Sequence, residues 1–488
     1  MKALKDLSKK LAGIVKESWS VLGNGHELPS VNPTLQIDDY LEANTVAAAR
    51  TSLTTEADEQ RNHGEGQKAT ESHLAHQIAQ RMALKTIGGR DVFDKCYRFT
   101  AADKARKMGV NPFFHPFEAN NGPVAQLDGK EVLMLGSNNY LGLTTDERVC
   151  KAAQEAIEKF GTSMTGSRLL NGSMRLHNEL EEKLAAFHGK ESALVFSTGY
   201  QVNLAVVSAL LSNKHSVAVI DKEDHASIYD GVRLAQSSGA RMVRYKHNDP
   251  ASLDKALSGL SQAEGALVIT DGVFSAQGEI AKLDEIVKVC KQHNARLMVD
   301  DAHALGVIGP GGRGTAALYD IVDQVDLIGG TFSKSLASIG GWLVGERKVL
   351  DYIKYFAFSF LFDASAAPSS VAAAMAALAV MQKEPWRQKK LRENFTYMRD
   401  ELRKMGFDLG NSDTAVIPIY IRDDLKTILM WKSLLDDYRV YVNPFFTPGT
   451  PPKQQMLRTS YMATHEKKQL DHALEAFNVV GKKFGVIS

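Results

Sequence analysis

Lys334 has the least ordinary setting of any residue in the chain. It lies in the run GGTFSKS (329–335), just past an apolar stretch at 325–328. Its neighbours are small hydroxyl residues, and no acid is adjacent in sequence. Burial in such a setting disfavours the ammonium form, lowers the amine's pKa and makes it a Schiff-base nucleophile. The ordinary alternative is a structural lysine. The pattern G-x-x-x-x-G-K-[ST] is absent, so Lys334 is not a P-loop lysine. Asp300 and Asp301 follow the apolar run 296–299, and His303 comes next. Two acids at the end of a hydrophobic strand are costly to bury unless a cation pairs with them. A metal ion is one such cation. A protonated pyridine ring is another, and it would account for a carboxylate beside a hydrogen-bonding imidazole. The run DKEDHAS (221–227) places His225 past the apolar stretch 217–220. A histidine there can stack on an aromatic ligand or donate a proton, or be an ordinary loop residue. The run STGYQ (197–201) follows the stretch 193–196 and opens a helix. Backbone N–H groups and the helix dipole suit a phosphate there, although many such turns carry glycine for geometry alone. Taken in order, these are a phosphate turn at Thr198, Gly199 and Tyr200, a stacking His225, Asp300 with His303, and Lys334. That constellation suits pyridoxal 5′-phosphate.

Such residues need a rigid frame. Short apolar runs recur at 193–196, 217–220, 266–270, 296–299 and 325–328, with helical patterns at 147–160, 174–188 and 283–293. Strand and helix at this spacing predict an α/β unit with a mostly parallel sheet buried on both faces. Ligands in such sheets bind beyond the C-terminal strand ends, where the residues above fall. After Pro368 come two long helical stretches, strands at 415–421 and 438–443, and a helix at 466–483. These form a smaller α+β unit. The glycine-rich run 309–314 fails the dinucleotide fingerprint, since no helix is expected after it, and it reads as a flexible surface turn. No G-x-S-x-G elbow occurs. The apolar run 371–381 is too short to span a membrane and reads as a packed helix.

The chain has 488 residues, 44% hydrophobic and 24% charged, which suits a soluble protein of two or three structural units. Lys+Arg (58) and Asp+Glu (57) nearly cancel, so no electrostatic case for nucleic acid exists. The three cysteines, Cys96, Cys150 and Cys290, are far apart. A disulfide framework and a thiolate zinc site are therefore not expected, and a reducing, cytoplasmic compartment is. Residues 1–20 carry apolar positions at helical spacing with lysines between them. That pattern predicts a basic amphipathic helix. It could lie on the inner membrane surface, pack on a dimer or fray in solution. His63, His73 and His76 lie in or beside the polar stretch 51–72. No metal site is assigned to them.

From about Gly109 onward the chain resembles the α-oxoamine synthases, pyridoxal-phosphate enzymes of fold type I. The matching stretches are LGSNNYLGL (135–143), GSRLLNG (166–172), TGY (198–200), HAS (225–227), VFS (273–275), DDAH (300–303) and TFSK (331–334). The resemblance implies a large domain with a mostly parallel, seven-stranded sheet and a small α+β C-terminal domain. Expected divisions are an extension (1–100), an N-terminal core segment (101–145), the large cofactor domain (146–355) and the small domain (356–488). The resemblance also implies roles. Lys334 bonds the cofactor and moves the Cα proton, Asp300 keeps the pyridine nitrogen protonated, and His225 stacks on the ring. His303 and Ser275 hydrogen-bond the ring oxygen. Thr198, Gly199, Tyr200, Thr331 and Ser333 serve the phosphate. Family members are homodimers, and FDASAAP (362–368) matches the stretch that reaches the neighbour's phosphate. Many members have Ser-Thr-Ser there. Ala364 removes one hydroxyl, while Ser365 remains.

Thr447-Pro448, LRTSYMATH (457–465) and TFSKSLASIGG (331–341) resemble the serine palmitoyltransferase branch of that family. Arg458 is then the substrate-carboxylate ligand, because its planar fork matches a carboxylate. Asn139 is also assigned to substrate. The implied reaction condenses L-serine with a long-chain acyl thioester, on coenzyme A or a carrier protein, with loss of CO2. Sister reactions using glycine, alanine or cysteate would share the same catalytic residues. A non-catalytic partner subunit is a further alternative, against which Lys334 argues.

Overall fold

The computed structural model describes residues 91–447, 450 and 453–488. The helix expected at 1–20, the three histidines near 51–76, and Pro448 lie outside the described residues.

The central sheet has seven strands. Their spatial order is Ser192–Phe196, Gly341–Gly345, Leu327–Thr331, Arg296–Asp300, Gly265–Asp271, Ser216–Asp221 and Arg241–Tyr245. Gly341–Gly345 runs antiparallel to both neighbours, and the other neighbouring pairs are parallel. Phe196, Thr331, Asp300, Asp271 and Asp221 therefore end strands on one edge. A strand covered on both faces needs apolar residues at successive positions, not alternating ones. In Ser216–Asp221, Val217 and Val219 pack into one core while Ala218 and Ile220 pack into the other. Each such Val or Ile contributes about 1.5–3 kcal/mol by burial.

Several elements differ from the sequence expectation. The strand expected at 325–328 is Leu327–Thr331. Residues Val322–Gln324 form a helical turn first, and the strand runs on through Gly329 and Gly330. At Gly330 a Cβ would lie 2.8 Å from the Trp342 ring, so glycine there serves packing and not a turn. The strand expected at 438–443 begins later, because Tyr438 ends the helix Asp424–Tyr438. Arg439, at φ 58°, breaks that helix, and Val440–Tyr441 pairs parallel with Lys130–Met134. The antiparallel sheet of Val416–Tyr420, Met456–Ser460 and Asn443–Phe445 completes this part of the molecule. The run 309–314 is not a free surface turn. Gly312 and Gly314 are buried, and the short helix Thr315–Leu318 follows. A Cβ on Gly314 would lie 2.1 Å from Asp301 Oδ2, so this loop closes over Asp301.

One ion-paired histidine ties the sheet edge together. His247 Nδ1 lies 3.1 Å from Asp221 Oδ1, and its Nε2 lies 3.5 Å from Glu279 Oε2. Burial alone would lower its pKa. The bonds to Asp221 and Glu279 outweigh burial and raise it to about 9. Both ring nitrogens can donate to carboxylates only in the cation. A raised histidine pKa stabilises the fold fully below about 6.5, and that contribution is lost as pH rises through about 9. Urea titrations of wild type and His247→Gln should therefore differ by up to about 3 kcal/mol at pH 6 and converge by pH 10.

Among the described residues, no helix is long and apolar enough to cross a membrane.

Candidate active site

The C-terminal strand ends open into a cavity of about 170 Å³. It is lined by Gly199, Tyr200, His225, Ser227, Asp271, Ser275, Asp300, His303, Thr331, Ser333 and Lys334, among others. Residues from separate stretches of sequence thus meet in one space. Thr198, Asn139, Ser365 and Arg458 are not among its lining residues.

At one end lies the start of the helix Gly199–Leu210. Thr198 caps it by accepting a hydrogen bond from Gln201 N at 3.2 Å. Its hydroxyl oxygen thus serves the helix, a use that spacing alone did not reveal. Gly199 packs so close to the last sheet residue that a Cβ would fall 2.5 Å from Thr331 Cβ. The absence of a side chain lets the first N–H groups of the helix approach Thr331 and Ser333, whose hydroxyls are 2.9 Å apart. Tyr200 spends its phenol on Asp230, leaving its backbone N–H at the helix start.

Asp300 also lines the cavity, at the end of the strand beside Leu327–Thr331. Its Oδ1 accepts from Ala302 N at 3.0 Å, and its Oδ2 accepts from Asn203 Nδ2 at 2.7 Å. Asn203 also donates to Ser227 Oγ at 2.8 Å. With Asn203 filling that acceptor, the Ser227 hydroxyl donates onward to His225 Nδ1 at 2.8 Å, and Ser227 N–H points to the same nitrogen. Nδ1 of His225 is therefore an acceptor, and its ring proton sits on Nε2. Burial holds the His225 pKa below its ordinary value, in keeping with a neutral ring. The sequence reading missed Asn203 and Ser227. Asn203 stands one helical turn after Gly199, a spacing that puts both on one face.

Lys334 lines the same cavity. Burial lowers its pKa to about 8, against the opposing pull of Asp300. The neutral amine is the nucleophilic form, so uptake of the cofactor aldehyde by cofactor-free protein should rise about tenfold per pH unit below 8 and level off above it. Stopped-flow absorbance measures this, and a flat profile from pH 6 to 9 would contradict it.

Asp271, also missed, lines the wall at the end of Gly265–Asp271. Burial and then the neighbouring Asp300 push its carboxyl well above the usual range. Asp301 was expected to need a cation if buried, and among the described residues no cationic side chain pairs with it. Burial instead raises its carboxyl to about 7, while Thr315 N donates to Oδ2 at 2.9 Å.

Arg458 is buried next to the cavity. Its Nε donates to the Ser275 carbonyl at 2.7 Å, Nη1 to Ser460 Oγ at 2.9 Å and Nη2 to Asn138 Oδ1 at 3.1 Å. The expected substrate residue Asn139 is engaged elsewhere. Its Oδ1 accepts from Leu143 N and its Nδ2 donates to Thr144, closing its own turn. Asn138 is the residue that faces Arg458. Ser365 donates its N–H to the Gly166 carbonyl within the same chain, away from the cavity lining.

The aminotransferase class I and II family profile matches residues 130–477. The chain belongs to this family. A serine palmitoyltransferase of Sphingobacterium spiritivorum is 44% identical over 382 residues, covering 78% of this chain and 94% of that one. An 8-amino-7-oxononanoate synthase of Thermosipho melanesiensis is 37% identical over 396 residues, covering 81% and 100%. A solved serine palmitoyltransferase carrying pyridoxal phosphate as internal aldimine superposes with a TM-score of 0.78. It has 37% identity and covers 82% of this chain and 100% of that one. The α-oxoamine synthase assignment and the type I fold hold with these relatives, and the cofactor of this family member is pyridoxal phosphate. The cavity fits it. Its lining brings together hydroxyls and a helix start that suit an anion, a carboxylate fixed by two donors, and an amine.

Proposed function

We propose that the protein condenses L-serine with a long-chain acyl thioester, releasing the thiol and CO2 to give 3-ketodihydrosphinganine. The observation that carries this reading is Arg458. A buried guanidinium whose partners are a carbonyl, a hydroxyl, an amide and the Tyr140 phenol holds no carboxylate among the described residues. Such a group suits the α-carboxylate of an amino acid beside the cofactor cavity. The similarity to serine palmitoyltransferases supports serine as that amino acid.

Pyridoxal phosphate, when bound, supplies the electron-withdrawing ring that makes the amino-acid Cα acidic. The chain does the rest. Gly199, the Tyr200 backbone, Thr331 and Ser333 would hold the phosphate, with Thr198 shaping that helix start. Asp300, fixed by Asn203 and Ala302, would keep the ring nitrogen protonated. His225 would stack on the ring, and His303 and Ser275 would serve the ring oxygen. Lys334 would anchor the cofactor, and its neutral amine would take the Cα proton. An amine with a pKa of about 8 suits this, because it can accept and return a proton near neutral pH.

A homodimer is part of this reading. Phe358 and Phe362 are 72% and 74% exposed beside Ser365, and such apolar surface favours a partner that could bring Ser365 to the neighbouring site. Light scattering of the loaded protein tests it. Peripheral membrane contact through residues 1–20 rests on their sequence pattern alone. Equal vesicle co-sedimentation by full-length and truncated protein would sink it.

The sister reactions would use the same cavity, and the 8-amino-7-oxononanoate synthase relatives make them the competing reading. Titration of the holoenzyme absorbance with single amino acids separates them. Serine should shift the spectrum at lower concentration than glycine or alanine. If glycine or alanine binds and serine does not, the substrate assignment fails.

A further inference from the structure

Three distant parts of the chain converge on one buried oxygen, the phenol of Tyr140, which none of the roles above uses. Tyr140 is fully buried. Its hydroxyl lies 2.7 Å from His303 Nδ1, past the end of the strand Arg296–Asp300. It lies 3.3 Å from Asn138 Oδ1, the atom that accepts Arg458 Nη2 at 3.1 Å. Arg458 belongs to the small sheet, on Met456–Ser460. Backbone bonds lock the arrangement: Ala463 N donates to the Tyr140 carbonyl at 2.7 Å, and Ser460 N to the Leu135 carbonyl at 2.7 Å.

Hydrogen accounting gives this contact a direction. The phenol has one hydrogen and two candidate acceptors. Asn138 Oδ1 is the more distant and already receives Arg458. His303 Nδ1 is closer and has no other partner. The phenol therefore donates to Nδ1, which leaves the imidazole proton on Nε2. Burial keeps His303 neutral, with its pKa well below the ordinary value. His303 lines the cavity, so its Nε2–H is a donor there and not an acceptor. The Arg458 guanidinium also hydrogen-bonds the same phenol.

We propose that Tyr140 is a positioning residue that fixes the Nε2–H form of His303 and couples it to Arg458 across Asn138. This rests on the roles proposed for His303 and Arg458. The carboxylate side of the site is thereby wired to the cofactor side, although Arg458 does not line the cofactor cavity. A tyrosine that only filled space would do neither.

The test is a double-mutant cycle read by the absorbance spectrum of the resting holoenzyme at fixed pH. It uses wild type, Tyr140→Phe, Arg458→Lys and the double variant. Tyr140→Phe removes one oxygen and keeps the ring. It should change the balance of the cofactor absorbance bands, because His303 is freed to carry its proton on Nδ1. Arg458→Lys should shift the spectrum in the wild-type background and leave it unchanged in the Tyr140→Phe background. A Tyr140→Phe spectrum identical to wild type overturns the proposal, as do strictly additive shifts. If Tyr140→Phe does not accumulate as folded protein, Arg458→Lys alone decides. A resting spectrum identical to wild type then overturns the coupling. No amino acid enters these measurements, so the serine assignment stands or falls separately.

Discussion

Lys334→Ala is expected to lose about 10²–10⁴-fold in turnover through the proton-transfer role alone, and more through loss of the covalent anchor. The structure says why no neighbour can substitute. Lys334 is the only lysine among the cavity-lining residues, and the two histidines beside it are neutral donors by burial and hydrogen bonding. Neither His225, whose Nδ1 is occupied by Ser227, nor His303, whose Nδ1 faces Tyr140, offers a free basic nitrogen to the cavity. The variant should still fold. Deleting a buried amine with a depressed pKa removes a desolvation cost and leaves no partner stranded, since no acid is paired with it by contact. The measurement is release of free thiol from an acyl thioester with serine present, alongside the holoenzyme spectrum. A Lys334→Ala protein that kept the wild-type spectrum and rate would revive the non-catalytic reading of this chain and remove Lys334 from the site.

The parts of the site that were legible in the sequence share one physical signature. Lys334, Asp300, His225 and the turn at Gly199 each stand just past an apolar run, and strand ends are where a parallel sheet exposes its residues to a ligand. Asp271 carries the same signature after the run 266–270 and could have been found by the same rule. Asn203 and Tyr140 do not carry it. Asn203 lies inside a helix, and only its one-turn offset from Gly199 marks its face. Tyr140 acts through contacts to residues 163 and more positions away, which no local pattern records. Asn138 and Asn139 are adjacent and chemically identical. Which of them turns toward Arg458 depends on the backbone path of the turn at 139–144, not on composition. The fold shows the same division. The helix Glu147–Phe160 was legible because Asp146 caps it and Gly161 ends it. The strand Gly341–Gly345 was not among the apolar runs read from the sequence; its three apolar residues lie between glycines, and at Gly341 a Cβ would lie 2.5 Å from the Thr198 carbonyl oxygen. Glycine there permits close packing of strand on helix start, a tertiary reason invisible to local pattern.

Asp300→Asn and Asp271→Asn make the same change of atoms in the same cavity, yet they should differ greatly. Asp300 has both oxygens fixed by donors, Ala302 N on one and Asn203 Nδ2 on the other, an environment built for an acceptor-only carboxylate. Replacing it with an amide sets one NH2 group against a donor it cannot accept from. It also removes the negative charge proposed to keep the ring nitrogen protonated. Loss of one preorganised electrostatic group of this kind costs about 10²–10³ in kcat. Burial and the adjacent Asp300 oppose ionisation of Asp271, so its charge carries less of the cavity's electrostatics. An amide there is close in shape, so the expected loss is under about tenfold. The strands pair Asp271 directly with Asp300, so the two variants probe one local frame and a general loosening would affect both. Steady-state rates at saturating serine, with cofactor content checked by absorbance, make the comparison. If Asp271→Asn were the more damaging of the two, the carboxylate facing the ring would have been assigned to the wrong strand end, and the charge logic of the cavity would have to be reversed.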